Sequence, residues 1–145
     1  MLKGVSSLLS PELLKIMMEM GHGDEICIGD GNFPAASQAK RLARQDGHGV
    51  ADILRAMMPL FPLDTFVAKP VFVMQPGDPK QDPPPIWSEY EKIFRKEWSD
   101  FPGFERVERF AFYEQARNCY AIVASGESAL YANVILKKGV IEPGS

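Results

Sequence analysis

Apolar residues recur along this chain in short blocks whose spacing switches between helical and extended periods. Ser10-Pro11-Glu12 supplies a capping hydroxyl, a proline suited to the first helical position and an acid for the first turn. Leu13, Leu14, Met17, Met18 and Met20 follow at helical spacing toward Gly21, predicting a helix whose methionine-rich stripe packs into the core. Asp24 to Asp30 predicts a short buried strand that ends on an acid, and Gly31-Asn32-Phe33-Pro34 a loop. Asp46-Gly47-His48-Gly49 is a turn signal before a second helix. That helix carries Val50, Ile53, Leu54, Met57 and Met58 on one face and stops at Pro59 and Pro62.

Val71 to Met74 predicts a further strand, and five of the twelve prolines then crowd into Pro76–Pro85, which predicts a surface loop. Ile86, Tyr90, Ile93, Phe94 and Trp98 mark the inward face of a third helix; Trp87 falls off that stripe and is expected at a subunit contact. Phe104–Val107 reads as a strand and Phe110–Ala116 as a short helix. Cys119–Ala124 is apolar throughout, as in a strand covered on both faces. Ser125-Gly126-Glu127 turns the chain into a last strand over Tyr131–Leu136. Strands alternating with helices predict an α/β fold: one domain over residues 1–143, a mixed β-sheet with helices packed on both faces. Gly144-Ser145 is set aside as an expression remnant.

Composition narrows the functional classes. With 46% hydrophobic and 24% charged residues in 145, the chain can bury a core without a metal or disulfide staple. A net charge of −3 argues against a generic nucleic-acid binder. No apolar run reaches the ~18 residues of a membrane span, and Met1–Ser10 lacks a signal-peptide core, so a cytoplasmic protein away from membranes is expected. Cys27 and Cys119, both in apolar runs, are expected to be buried reduced thiols. The GxG strings at Gly21, Gly29 and Gly47 place Ile26, Pro34 and Asp52 where a dinucleotide fingerprint needs a small residue. Two isolated histidines, His22 and His48, give no paired metal-ligand spacing, and no nucleophile elbow occurs.

Two residues stand out. His22 sits between glycines just past a helix end, where the helix dipole favours a cation, and Asp30 ends the first strand. Ligands of open α/β sheets gather at the carboxyl ends of strands, and both residues are expected near that edge. From spacing alone, a surface histidine in a turn and a loop-capping aspartate remain open readings.

Longer strings carry a resemblance. Ser10-Pro11-Glu12-Leu13-Leu14, Glu19-Met20-Gly21-His22-Gly23-Asp24-Glu25-Ile26 and Asp30-Gly31-Asn32-Phe33-Pro34-Ala35 occur in order. Arg109-Phe110-Ala111-Phe112-Tyr113-Glu114, Gly126-Glu127, Tyr131-Ala132-Asn133 and Lys137-Lys138-Gly139-Val140 complete the series. Together they resemble the family that joins L-fucose mutarotase and D-ribose pyranase. The resemblance implies an isomerase that interconverts α and β anomers of a monosaccharide, with no cofactor and no metal. It implies His22 as proton donor and Asp30, Arg109, Tyr131, Ala132 and Asn133 as sugar-binding residues, with Tyr113 a further candidate. It also implies a ring-shaped homo-oligomer, commonly a decamer, whose pockets are completed by neighbouring subunits. The Arg109 string favours the L-fucose branch, with ribose or galactose-like sugars weaker; Ala132 stands where most fucose mutarotases carry glycine and looks more like the ribose branch. Alternative readings are a D-ribose pyranase, a non-catalytic sugar-binding accessory of a transport system, or a structural assembly subunit.

The implied chemistry suits these residue types. Mutarotation opens a pyranose to its free aldehyde and recloses it on the other face. The ring oxygen must gain a proton while the anomeric hydroxyl loses one, a task for a group titrating near neutrality such as histidine. A carboxylate accepts and a guanidinium donates charge-assisted hydrogen bonds to sugar hydroxyls. Tyr131 and Asn133, two apart on the expected strand, would share a face, leaving Ala132 to act through its backbone.

Overall fold

The computed structural model describes residues 1–144, so the Ser145 half of the proposed remnant lies outside the described residues. A six-stranded sheet forms the middle layer, with strand order β2-β5-β1-β6-β3-β4. Its strands are β1 (Glu25–Gly29), β2 (Leu42–Gln45), β3 (Val71–Met74), β4 (Glu105–Val107), β5 (Ala121–Ser125) and β6 (Val134–Lys137). The pairs β1–β5, β2–β5 and β3–β4 are parallel, whereas β6 runs antiparallel to β1 and β3 on either side of it. The carboxyl ends of five strands therefore lie along one edge, and the chain enters β6 from that same edge.

Alternating strand residues feed two cores. Ile26, Ile28, Val71, Val73, Val123, Val134 and Leu136 face one core with α1 (Pro11–Glu19), α3 (Val50–Met57) and α4 (Pro85–Glu97). Cys27, Met74, Ile122 and Ile135 face the other, with α2 (Ala35–Gln38) and α5 (Arg109–Asn118). This is the expected mixed sheet covered on both faces. Cys27 and Cys119 are buried free thiols, and burial pushes both pKa values up.

Local chemistry explains the helix ends. The Ser10 hydroxyl accepts from Leu13 N at 3.1 Å, as its sequence position predicts. The stop is different from expectation: Met20, not a left-handed Gly21, ends α1, and Lys138 Nζ donates to the Met17 and Met20 carbonyls at 2.7 and 2.6 Å. Glu108 caps α5 by accepting from Phe110 N and Ala111 N, both at 3.0 Å, which holds its carboxyl below the usual range. Gly49 has no side chain to cap α3, so Glu127 Oε1 accepts from Val50 N instead.

Several expectations are corrected. Met18 is 85% exposed and Leu14 half-buried, while Ile16 packs inward, so the buried stripe of α1 is Leu13, Ile16, Met17 and Met20. Trp87 is buried in its own subunit, 3% exposed, and is not a free surface for a partner. The last strand begins at Val134, which puts Tyr131, Ala132 and Asn133 in the loop before it. The sequence reading misses β2 and α2 altogether. Both are four residues long, and β2 is an edge strand whose Arg44 pairs with Asp46 in the solvent. Among the described residues no helix is long and apolar enough to cross a membrane.

Candidate active site

The expected site residues fall at opposite ends of β1. At its carboxyl end lies a cavity of about 210 Å³ with Asp30, Asn32, Arg109, Tyr113, Tyr131 and Asn133 as polar lining and Phe33, Met74 and Leu130 as apolar lining. Drug-sized pockets typically run to roughly 300–1,000 Å³, so this one matches a single small polar ring. A wider groove of about 840 Å³ adjoins it, between the proline-rich loop and Leu130–Tyr131. The smaller cavity is the better candidate, because it gathers a carboxylate, a guanidinium, two phenols and two amides around one volume.

Each lining group has a local reason to be there. Asp30 follows β1, and its Oδ1 accepts from Asn32 N at 2.9 Å in a tight turn. Its own N–H donates to Asn133 Oδ1 at 2.7 Å. That bond fixes the orientation of the Asn133 amide and leaves its NH₂ as a donor. Burial raises the Asp30 pKa, the Asn32 and Phe33 N–H groups oppose the rise, and nearby Glu127 adds to it. Arg109 opens α5 just past β4; among the described residues it makes no ion pair, and its guanidinium carbon lies 5.9 Å from the Tyr113 ring centroid. Phe33 stacks on Tyr113 with centroids 5.5 Å apart. A Cβ on Gly29 would sit 2.7 Å from the Phe33 Cβ, so glycine at the end of β1 is what lets Phe33 form this wall.

Tyr131 has φ +55°, the one positive value at a non-glycine among the described residues. A left-handed conformation costs roughly 1–2 kcal/mol at such a residue. It turns the backbone so that Tyr131 and Asn133 both reach the cavity although neither is yet in a strand. Ala132 is fully buried, does not line the cavity, and its carbonyl accepts from the Tyr90 hydroxyl at 2.7 Å.

His22 stands at the other end. It precedes β1, whose five residues alone span about 13 Å at the usual strand rise. The side chain is 45% exposed and its Nε2 lies 3.1 Å from Asp64 Oδ1. Asp64 Oδ1 also accepts from Phe66 N at 3.0 Å, and the Phe66 ring lies 5.2 Å from the imidazole. A carboxylate only accepts, so this contact suits a hydrogen on Nε2 pointing at Asp64. The loop is rigidly held: Gly21 N donates to Asp24 Oδ2 at 2.7 Å, and Gly23 N to the Lys138 carbonyl at 2.8 Å. Gly23 takes φ +87°, which glycine allows without strain. The expectation that His22 shares an edge with Asp30 is therefore corrected: the two flank the strand.

Sequence reasoning missed Asp64, Phe33 and Met74. Asp64 has a legible signal, a lone acid after the apolar run Leu60-Phe61-Pro62-Leu63, and it is 3% exposed. Phe33 lies in the loop after β1 and in one of the matching strings, a signal that was there to use, whereas Met74 has none, since its apolar strand looks like core. Among the described residues no group of three or more His, Cys, Asp or Glu is placed to hold a metal ion.

Comparison with known proteins agrees along nearly the whole chain. Residues 3–141 match the RbsD / FucU transport protein family. A human protein named fucose mutarotase is 47% identical over 146 residues, covering 97% of this chain and 94% of its own. The crystal structure of a fucose mutarotase from Streptococcus pneumoniae in complex with L-fucose superposes with TM-score 0.91 at 42% identity, covering 97% of this chain and 100% of that one. FucU from Bifidobacterium longum gives TM-score 0.92 at 48% identity, with the same coverage.

Proposed function

This chain belongs to the RbsD / FucU family, and from that premise we propose that it is an L-fucose mutarotase, interconverting the α and β anomers by acid–base ring opening and closing. The observation that carries the reading is the small cavity at the carboxyl end of β1, where charged and amide groups converge on a volume suited to one sugar ring. Relatives named for fucose support L-fucose over D-ribose.

Asp30 accepts from sugar hydroxyls, while Arg109 and the Asn133 NH₂ donate to them. Phe33 and Tyr131 offer ring faces to the apolar side of the sugar. In the opening step the C1–O5 bond breaks as the anomeric hydroxyl gives up its proton and becomes the carbonyl, and the ring oxygen takes up a proton. Rotation about C1–C2 presents the other carbonyl face, and closure reverses both transfers. His22 supplies one of these transfers.

His22 and the cavity are at opposite ends of one sheet, so within the proposal His22 reaches the sugar of a neighbouring copy. Apolar side chains stand exposed at both ends: Met18 and Phe66 on the His22 side, Phe110 and Leu130 on the cavity side. Joining such unlike ends is a heterologous contact, which gives a ring where its rotation closes and an open filament where it does not. A homo-oligomeric ring, decameric by family resemblance, fits that requirement.

Exchange between α and β anomers of L-fucose and D-ribose, followed by NMR at equilibrium, tests the reading. Acceleration on L-fucose above D-ribose is expected. Binding without acceleration would make the protein a non-catalytic sugar-binding accessory, and exchange on D-ribose far ahead of L-fucose would overturn the fucose assignment.

A further inference from the structure

Trp87 and Tyr90 occupy one face of α4, one turn apart, and both are buried, at 3% and 0% exposure. Each carries a single ring donor, and the two donors go to successive carbonyls of the loop before β6. Trp87 Nε1–H donates to the Tyr131 carbonyl at 2.9 Å, and the Tyr90 hydroxyl donates to the Ala132 carbonyl at 2.7 Å. Those carbonyls precede the β6 ladder, so it gives them no partner, and Ala132 is closed to water. The residue between the clamp and the cavity is Tyr131, in its left-handed conformation. On the far side of the same loop, Asn133 is held by Asp30 N–H. A strained segment is thus gripped from the helix on one side and from the β1 turn on the other.

We infer that Trp87 and Tyr90 are positioning residues for the sugar pocket: by donating to the Tyr131 and Ala132 carbonyls they hold the left-handed turn that aims Tyr131 and Asn133 into the cavity. Neither ring lines the cavity itself. This account explains why an aromatic off the inward stripe of α4 is buried: its ring N–H has a carbonyl to reach. It also explains how a non-glycine residue keeps a positive φ here, since surrounding bonds over-determine the backbone. The inference rests on the cavity being the sugar site.

The test uses Tyr90→Phe, which keeps the buried ring and removes only the hydroxyl donor, and Trp87→Phe, which removes the ring N–H together with part of the indole's volume. Ile93→Val serves as control, because it loosens α4 in the same core without touching the loop. Anomer exchange on L-fucose gives KM and kcat, and thermal unfolding is recorded on the same samples. Exchange by the wild-type protein, together with weakened L-fucose binding in Arg109→Met, secures the site reading first; failure of either would remove that reading, and this inference with it. With wild-type exchange established, each donor variant is expected to raise KM roughly 5- to 10-fold, the weight of one misplaced hydrogen bond, with kcat changed less than twofold. Ile93→Val is expected to lower the unfolding temperature and leave KM alone. Folded donor variants with wild-type KM, or a KM that rises equally in Ile93→Val, would overturn the positioning role.

Discussion

At the carboxyl end of β1, Asp30, Arg109, Tyr131 and Asn133 surround a cavity that has no histidine in its lining. At the amino end, His22 and Asp64 form a hydrogen-bonded pair whose imidazole is nearly half exposed. Under the proposed function the first end holds the sugar ring and the second carries the proton. Both are rigid, but by different means. The cavity end draws its order from a strained turn, gripped by Trp87, Tyr90 and Asp30. The histidine end draws its order from ordinary loop bonds to Asp24 and Lys138 and from one buried carboxylate. The division of labour means that changes at the two ends should separate binding from chemistry.

The largest effect is expected at the proton-carrying end. His22→Asn should slow anomer exchange by roughly 10²-fold or more, with sugar affinity nearly unchanged. Arg109→Met should do the opposite and weaken L-fucose binding about 10-fold or more, as loss of a charge-assisted donor requires. Exchange by NMR and affinity by calorimetry on both variants check the split. If His22→Asn abolishes binding, or Arg109→Met slows only the saturated rate, the two ends are not divided as described.

How much of this contrast is legible in the sequence follows from what each residue needs. Helix α3 is readable because core burial imposes a helical period on its eight residues, and β3 because all four of its residues are apolar. The equally short β2 and α2 are not, because Leu42-Ala43-Arg44-Gln45 and Ala35-Ala36-Ser37-Gln38 mix small and polar residues and carry no apolar run. His22, Asp30, Arg109, Tyr113, Tyr131, Ala132 and Asn133 are named in advance through strings that resemble a family; the structure brings five of them to one cavity and leaves His22 and Ala132 outside its lining. What the strings hide is geometry. His22 and Asp30 are eight residues apart, and only the strand between them sends them to opposite ends. Trp87 looks spare in the helical period because its partner, the Tyr131 carbonyl, is a backbone atom 44 positions away. Lys138 is unreadable as the cap of α1 for the same reason.

A smaller effect sharpens the account of the cavity end. Burial holds the folded Asp30 pKa above its unfolded value. A raised folded pKa means a contribution to stability that is fully present below the unfolded value, near 3.9, and is lost as pH rises through the folded value. The ionised Asp30 therefore comes at some expense to the fold. Asp30→Asn should weaken sugar binding yet be as stable as the wild type or more so at pH 7, with that advantage shrinking toward pH 4. Thermal unfolding at the two pH values checks the sign; a variant less stable at pH 7 and recovering at pH 4 would reverse it.

Under the proposed function a working site joins the cavity end of one copy to the histidine end of another, and complementation probes that junction. His22→Asn and Arg109→Met, each nearly inactive at low sugar concentration, are to be co-expressed in equal amounts with different tags, and assemblies carrying both tags purified. In a head-to-tail ring, an intact cavity from one variant meets an intact His22 from the other at about one site in four, so exchange should return to roughly a quarter of the wild-type rate. Mixed assemblies no more active than the two variants alone would show that each site is made within a single chain.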